Sequence, residues 1–335
     1  MNTPAGWRCG VATDPGRQRP TNEDRAYADE RAGIFLVVDG LGGHAAGEKA
    51  AETAVETVTE RLSRDDGPVE DRVRDAIAAA NNRIFDLASD NEEWRGMACV
   101  LTLAVAHDDK VTVGHVGDSR MYLVWNGSVR KVTSDHSPVG EKEDQGEITE
   151  QEAMVHPRRH EVFRNVGSMH READDEQFIE IRSFPFRPAA ALLLCSDGLS
   201  DVMTSSEINA VVERYDGDAQ RVALELVDAA NEASGKDNIS VVFVAGPDFL
   251  GTESKTMEDA RTRHAITRMS RRSRLTSQWS RCSVDAGLML TRRACDARCQ
   301  FDVRVSGVAS STTMRGRSSM RPPHPALSVG PITGL

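Results

Sequence analysis

The sequence predicts an α+β protein in which antiparallel sheet carries helices on one face. Three apolar, strand-like segments follow one another at 99–106, 111–116 and 121–125, and four residues join each pair. Such short connections leave no room for a helical crossover, so we expect these strands to be antiparallel neighbours in one sheet. Two amphipathic helices are predicted at 45–62 and 69–90, where apolar residues recur every three or four positions. Two helices in succession indicate an antiparallel pair packed on that sheet.

The other elements follow from the same two periodicities, two residues for strands and 3.6 for helices. Strands are expected at 7–11, 34–38, 178–181, 189–195 and 239–245 and after the turn Asn126-Gly127, and helices at 205–213 and 218–233. Residues 134–177 are polar and irregular. Because an excursion of this length within a compact domain is usually a lid or a binding segment, we expect residues 138–175 to form a flap.

Charge divides the chain into an acidic body and a basic end. The 335 residues carry a net charge of −11, yet residues 251–335 hold 15 Lys and Arg against 6 Asp and Glu. Residues 1–250 hold the remaining 26 basic and 46 acidic side chains. We expect residues 1–247 to fold as one domain. Residues 248–335 lack sustained apolar periodicity, and we expect them to form a basic, disordered tail.

Composition also narrows the choice of partners and location. A strongly acidic body argues against nucleic acid as a partner. No run approaches the roughly 18 consecutive apolar residues of a membrane helix, and the N-terminus has no apolar signal region. The six cysteines are scattered, which indicates a reducing, cytoplasmic location. The pair Cys295 and Cys299 is a weak zinc motif because two further ligands are missing.

The most informative segment is the strand at 34–38 together with the loop that follows it. The strand ends in Asp39, and a glycine-rich loop over residues 40–44 leads into an alanine-rich helix. A carboxylate at the end of a buried strand needs a partner or a cation, since desolvating a lone charge is costly. A phosphate-binding loop is discounted because Glu48 stands where its lysine belongs. On this segment alone a cation site, a dinucleotide-binding loop and a plain turn remain open.

The rest of the chain favours the cation site. A dinucleotide-binding fold needs strands that alternate with helices, and residues 99–125 do not supply them. Four aspartates stand where strands end or begin beside Gly or Asn, namely Asp39, Asp118, Asp197 and Asp237. Each alone is most often a turn residue, but four together suit a hard cation such as Mg²⁺ or Mn²⁺. Two such ions can activate a shared water, and a nearby arginine can bind a phosphoryl group. This combination indicates metal-assisted hydrolysis of a phosphate ester.

Six motifs between residues 7 and 245 carry a resemblance to a known family. They are Arg19-x-x-Asn22-Glu23-Asp24, Val37-Val-Asp39-Gly40-Leu-Gly-Gly-His44, Gly114-His-Val-Gly117-Asp118-Ser119-Arg120, Thr133-x-Asp135-His136-Ser137, Leu194-Cys-Ser-Asp197-Gly198-Leu199 and Lys236-Asp237-Asn238-Ile239. In this order they resemble the PP2C-type (PPM) metal-dependent serine/threonine protein phosphatases in their bacterial form. The resemblance implies a four-layer α/β/β/α sandwich of two mainly antiparallel sheets flanked by helix pairs, with the metals at one end.

The resemblance also implies a role for each matching residue. Asp39 is implied to bridge two metal ions, and Gly40 to offer its carbonyl oxygen to one of them. Asp197 and Asp237 are implied to be the remaining direct ligands of the other ion. Asp118, with Asp197, matches the site of a third, weaker ion. Glu23 and Asp24 are implied to hold metal-bound waters, and Arg19 is implied to bind phosphate. Support of the surrounding loops is implied for Asn238, His44, Asp135 and His136.

Two positions depart from the family's pattern. Some members carry a histidine directly after Asp-Gly, proposed as a general acid, whereas this chain has Leu41. His44 is the nearest candidate, and a loop-stabilising role is the simpler expectation for it. The segment Ala98-Cys99-Val100 replaces a common Gly-Thr-Thr, which changes local packing and leaves the ligand set intact.

These observations predict a phosphatase that hydrolyses phosphoserine and phosphothreonine by direct attack of a water held between two Mn²⁺ or Mg²⁺ ions. Phosphorylated proteins are the expected partners, with a cognate Ser/Thr kinase opposing the enzyme, and the protein is expected to be monomeric. A catalytically silent phosphoprotein-binding or scaffold module on the same fold is the alternative. Retention of every implied ligand carboxylate argues against that alternative.

Overall fold

The computed structural model describes residues 6–43, 45–64, 67–175 and 177–251. His44 and residues 252–335, with their cysteine pair, lie outside these ranges, and what the sequence predicts for them stays a prediction. Across the described part of the chain, every helix is too short or too polar to span a bilayer.

Ten strands and seven α-helices occupy the described residues, and most coincide with predicted segments. The strands are β1 (Arg8–Asp14), β2 (Arg25–Asp29), β3 (Ile34–Leu41), β4 (Ala98–His107), β5 (Lys110–Val116), β6 (Arg120–Trp125), β7 (Ser128–Lys131), β8 (Glu180–Pro185), β9 (Ala191–Cys195) and β10 (Ile239–Ala245). The helices are α1 (Ala45–Leu62), α2 (Val69–Asp90), α3 (Pro138–Asp144), α4 (Glu150–Met154), α5 (Asp197–Ser200), α6 (Ser205–Val212) and α7 (Ala219–Ala233).

The strands form two five-stranded sheets in which all neighbours are antiparallel. One sheet has the order β1-β10-β9-β6-β7 and the other the order β2-β3-β4-β5-β8. The prediction that the strands over residues 99–125 share one sheet is wrong in part. β4 pairs with β5, whereas β6 pairs with β7 and β9 in the other sheet. The short turn between β5 and β6 therefore crosses from one sheet to the other, and Asp118 lies on it.

Alternating side chains of the strands divide the core into three layers. In β3, Leu36 and Val38 pack with the apolar faces of α1 and α2, whereas Phe35 and Val37 point between the sheets. The residues of α6 and α7 pack with the outer face of the other sheet. This alternation follows from the two-residue period of a strand that is buried on both faces. The α/β/β/α sandwich predicted from the family resemblance is confirmed.

Three short elements escaped the sequence prediction. β2 is an edge strand with every side chain half-buried, so it lacks an apolar alternation. α3 begins at a Ser137 cap that accepts a hydrogen bond from Gly140 N–H, which is a local signal independent of periodicity. α5 has only four residues. In addition, β8 begins two residues later than expected, because Phe178 and Ile179 are buried against the α1–α2 side in a turn.

Two close approaches of the backbone bring strand ends together at one edge of the sandwich. A Cβ on Gly40 would overlap the carbonyl of Gly47 in α1, and a Cβ on Gly198 would overlap the carbonyl of Asn238. Glycine is therefore required at both positions. The ends of β3 and β9 and the start of β10 consequently meet at one edge.

Candidate active site

A cavity of about 350 Å³ lies where these strand ends meet. Asp39 lies two residues before the end of β3, Asp118 lies on the crossing turn, Asp197 follows β9 and Asp237 precedes β10. All four predicted strand-end aspartates therefore line one cavity, although they come from both sheets. The complete lining is Arg19, Glu23, Asp39, Gly40, Leu41, Gly42, Gly43, Asp118, His160, Val162, Asp197, Asp237 and Asn238.

The aspartates repel one another in the absence of a cation. Burial, followed by the charges of Asp24 and Asp197, raises the pKa of Asp39 well above its ordinary value. Burial and the charge of Asp197 raise the pKa of Asp118 in the same way. Because each carboxylate disfavours ionisation of its neighbours, the cavity stores unfavourable electrostatic energy that a bound cation would relieve.

Asp24 lies beneath the cavity floor and is only 1% exposed. Its Oδ2 accepts a hydrogen bond of 2.7 Å from Ser196 Oγ, whereas its buried Oδ1 has no hydrogen-bond partner among the described residues. Burial is the main reason that the pKa of Asp24 rises to about 7, and the nearby Asp197 adds to the rise. A buried, unpartnered carboxylate oxygen beside other carboxylates is the environment in which a cation or its water shell supplies the missing partner.

Arg19 and Asn238 define the mouth of the cavity. Arg19 donates one hydrogen bond of 2.8 Å to Asp237 Oδ2, and its side chain is still 52% exposed. The hydrogen bond to Asp237 raises the pKa of Arg19. Asn238 accepts from Glu23 N–H and donates to the carbonyls of Pro15 and Thr21, each at 2.8–2.9 Å. Asn238 thus fixes the loop that carries Arg19 and Glu23.

Asp135 supports the site from a separate buried network. Its carboxylate pairs with Arg120 at 2.6 Å, and Arg120 also reaches Glu143 on α3 at 2.7 Å. Burial alone would raise the pKa of Asp135, but the charges of Arg120 and Lys131 outweigh it, so its pKa is lowered. The network lines a smaller cavity that Asp118 and Asp197 also border, and it anchors the base of the flap.

His136 lies next to this network, outside the main cavity. It is 6% exposed, and Gly117 N–H donates to its Nδ1 at 3.1 Å. Burial, with the neighbouring His115, lowers the pKa of His136 to about 3, so its ring is neutral at physiological pH. It lies beside the turn that carries Asp118, and its role in loop support stays a prediction.

Sequence reasoning missed three residues near the cavity. His160 of the flap lines the cavity, and its Nδ1 lies 3.9 Å from both Asp197 Oδ2 and Asp201 Oδ2. Asp201 follows Asp197 by four residues across α5, so the helical spacing of two acids was an available signal. Ser196 lies between β9 and Asp197 and donates a hydrogen bond to Asp24. No local pattern predicted the position of His160, because it depends on how the flap folds back.

The donor set fits hard divalent cations. The side chains of Glu23, Asp39, Asp118, Asp197 and Asp237 offer oxygen atoms, which Mg²⁺ and Mn²⁺ prefer. The raised pKa values of Asp39 and Asp118 and the unpartnered oxygen of Asp24 all fit a site that binds positive charge. Among the cavity-lining residues that the structure describes, His160 has the one side-chain nitrogen with a lone pair that could ligate a metal ion.

Fold and cavity together define a class of protein. It is an antiparallel α/β/β/α sandwich with an oxygen-rich, anionic cavity at one edge and an arginine at its mouth. Cation-dependent enzymes that handle phosphate esters use this combination of donors. The antiparallel sheets rule out the dinucleotide-binding fold, which requires parallel strands.

Comparisons with known proteins agree with this class. The family described as Protein phosphatase 2C matches residues 17–225. The serine/threonine phosphatase stp of Listeria welshimeri is 33% identical over 242 residues, covering 69% of this chain and 93% of that protein. The crystal structure of the serine/threonine phosphatase PstP/Ppp of Mycobacterium tuberculosis has a TM-score of 0.65 at 29% identity, covering 72% of this chain and 98% of that one. The catalytic domain of PstP in complex with 2 manganese ions has a TM-score of 0.61 at 28% identity, covering 71% and 97%.

This chain belongs to the protein phosphatase 2C family. The family predicted from six sequence motifs is therefore confirmed. The family is metal-dependent, as the PstP complex with manganese illustrates. The alternative of a catalytically silent binding module gains no support from these relatives, which are named phosphatases.

Proposed function

We propose that this protein is a metal-dependent phosphatase that removes phosphate from phosphoserine and phosphothreonine in proteins. The observation that carries the proposal is the convergence of four strand-end aspartates and Arg19 on one cavity. Family membership supports the same chemistry. Mn²⁺ or Mg²⁺, when bound, supplies Lewis acidity toward the phosphate and a water of lowered pKa.

The chain's own residues divide the work of binding. Asp39 would be shared by two ions, with the Gly40 carbonyl beside it and Asp197 and Asp237 completing the direct ligands. Glu23 and Asp24 would accept hydrogen bonds from bound waters. Asp118 would hold a third ion together with Asp197. This ligand set rests on the lining of the cavity, on the buried position of Asp24 and on the position-by-position match to the family's motifs.

Arg19 would bind the phosphoryl group of the substrate. It donates one hydrogen bond to Asp237 and remains half exposed at the mouth of the cavity. A guanidinium offers five N–H donors in a planar fork, so those left over can meet two phosphoryl oxygens side by side. The bond to Asp237 keeps Arg19 aimed at the cation ligands.

The substrates and setting form part of the same proposal. Phosphorylated proteins would be the substrates, and a cognate Ser/Thr kinase would produce them. A monomer is expected, since each ligand named above comes from one chain. The three cysteines in the described residues are all free, which supports a reducing cytoplasmic compartment.

The test compares hydrolysis of a phosphoserine peptide and of para-nitrophenyl phosphate with Mn²⁺, with Mg²⁺ and with EDTA. Asp39→Ala and Asp197→Asn should each lower turnover at least about 100-fold, because loss of a direct ligand exceeds the effect of an outer-shell change. Asp228→Asn, at an exposed position on α7, is the matched control. Titration calorimetry with Mn²⁺ should show weakened binding in the first two variants. Turnover that is indifferent to EDTA, or retained in both ligand variants, would refute the proposal.

A further inference from the structure

His136 connects the flap to the turn that carries Asp118. Its backbone N–H donates to the carbonyl of Gly117 at 2.6 Å. Its own carbonyl accepts a hydrogen bond of 3.0 Å from the N–H of Phe163 in the flap. One residue thus bonds to both segments, and the flap cannot shift at Phe163 without acting on His136.

The ring of His136 faces a donor from each of the same two segments. Gly117 N–H points at Nδ1 over 3.1 Å, and Arg164 Nη1 of the flap lies 3.2 Å from Nε2. A neutral imidazole has one N–H and one lone pair, so it can accept from one of these donors only. Burial, followed by the nearby His115 and Arg164, lowers the pKa of His136 to about 3, so the ring is neutral.

The two tautomers of the ring therefore favour different contacts. With the lone pair on Nδ1, the bond from Gly117 forms, and Nε2–H faces Glu180 Oε2 at 3.9 Å. With the lone pair on Nε2, Arg164 gains an acceptor and Gly117 N–H loses its own. Among the described residues Arg164 makes no ion pair, and the Nε2 atom of His136 is the side-chain acceptor within hydrogen-bond distance of its guanidinium.

His136 makes two hydrogen bonds to the turn at Gly117, and the bond to its ring is the one for which Arg164 competes. Gly117 has a φ of +113°, and a Cβ there would overlap the side chain of Val100. Asp118 follows directly, and its carboxylate borders both the main cavity and the smaller one beneath it. A change in the backbone at Gly117 moves the Asp118 carboxylate relative to Asp39 and Asp197.

We propose that His136 is a positioning residue whose single ring lone pair is contested by the flap, through Arg164, and by the Asp118 turn, through Gly117 N–H. When the flap places Arg164 so that it takes the ring lone pair, Gly117 N–H loses its acceptor and the Asp118 turn loosens. When the flap moves Arg164 away, Gly117 N–H keeps its acceptor and the turn stays in place. Contact between Arg164 and His136 therefore weakens cation binding at the proposed third position. The coupling rests on the proposed function only in giving Asp118 a cation to hold.

The test measures amide hydrogen exchange at Gly117 in the full-length protein without added metal. His136→Gln removes an acceptor at the place of Nδ1, and exchange should become about fivefold faster, the factor that corresponds to one net hydrogen bond. His136→Asn keeps an acceptor oxygen near that place, and exchange should stay close to the parent rate. Equal rates in the two variants would show a merely structural role and overturn the proposal.

Arg164→Leu removes the competing donor, so exchange at Gly117 should become slower by a few-fold. Arg158→Leu is the matched control, since Arg158 is an exposed flap arginine that pairs with Glu161 instead. Faster or unchanged exchange in Arg164→Leu means that Arg164 does not compete, and the proposal fails. This variant decides the question even when the His136 variants do not fold.

Calorimetry with Mn²⁺ supplies a second measurement. The weakest binding step should tighten up to about fivefold in Arg164→Leu and weaken by a similar factor in His136→Gln. Shifts in the reverse directions, or the same shift in both variants, would contradict the coupling. Failure of the proposed phosphatase function is distinguishable, because the parent protein would then lack Mn²⁺-dependent hydrolysis while the exchange rates at Gly117 still report the coupling.

Discussion

Replacement of Asp24 by asparagine is expected to stabilise the cation-free protein at neutral pH while it weakens the response to Mn²⁺. The Asp24 carboxyl is 1% exposed, accepts one hydrogen bond from Ser196 and has a second oxygen without a partner among the described residues. Burial and the nearby Asp197 raise its pKa from 3.8 to about 7. The folded protein therefore binds more protons than the unfolded chain between these two pH values, and stability falls as the pH rises through that window.

The magnitude follows from the same shift. A rise from 3.8 to about 7 corresponds to a cost of about 4 kcal/mol once Asp24 is fully ionised in both states, at 1.36 kcal/mol per unit. The cost is about 1.7 kcal/mol at pH 5, about 3 kcal/mol at pH 6 and about 4 kcal/mol from pH 7 upwards. An asparagine avoids this cost but buries an amide N–H₂ with no acceptor, which costs about 1–2 kcal/mol. The variant should match the parent near pH 5 and exceed it by about 2–3 kcal/mol at pH 8.

Urea unfolding in EDTA at pH 5, 6, 7 and 8 measures this difference directly. Asp228→Asn, which also removes one negative charge but at an exposed site, should show no such pH dependence. Addition of Mn²⁺ should raise the stability of the parent more than that of Asp24→Asn, since the cation offsets the buried negative charge of Asp24, which the variant lacks. A variant that is less stable than the parent at pH 8 in EDTA, or an advantage independent of pH, would refute the reasoning.

Three further outcomes are expected. Arg19→Ala should lower kcat/KM for a phosphopeptide about 10- to 100-fold in steady-state assays, with Arg19→Lys recovering only part, because a charged hydrogen bond contributes about 1.5–3 kcal/mol and lysine lacks the planar fork. Arg120→Met should lower the free energy of unfolding by about 3–5 kcal/mol in urea melts, since it leaves the buried Asp135 with only the more distant Lys131 as a counter-charge. Because the pKa of Asp135 is lowered, the stabilisation by the Arg120 pair should be present above pH 3.8 and lost as the pH falls further. Removal of residues 252–335 should leave the melting temperature and hydrolysis of para-nitrophenyl phosphate nearly unchanged, and a chain that fails to fold would contradict the predicted boundary.

The truncation point comes from the structure, because the folded part extends slightly past the predicted boundary at residue 247. Phe249 is buried, and its ring lies 5.3 Å from that of Tyr215 and 6.1 Å from that of Phe243. Gly251 N–H donates to the carbonyl of Tyr215. A cut after Gly246 would remove Phe249 from the core and destabilise the domain for reasons unrelated to the tail.

The sequence by itself determined the elements whose signals are local. The bounds of α1 and α2 match the predicted 45–62 and 69–90, because a long apolar stripe that recurs every three or four residues suits a helix and does not fit the two-residue period of a strand. The strand-end aspartates were equally accessible, since a carboxylate at the end of an apolar strand is conspicuous in the chain itself. Together with the other residues of the six motifs, in their order along the chain, they were enough to predict the family.

Only the tertiary structure decided which strands share a sheet and which side chains share a cavity. The short turn between β5 and β6 has the length of a hairpin, yet it joins the two sheets. His160 enters the cavity because the flap folds back over Asp197, and Asp24 lies under the floor because Ser196 of the neighbouring segment holds it there. These arrangements depend on contacts between residues far apart in the chain, whereas the periodicity of a sequence records only whether each side chain is buried.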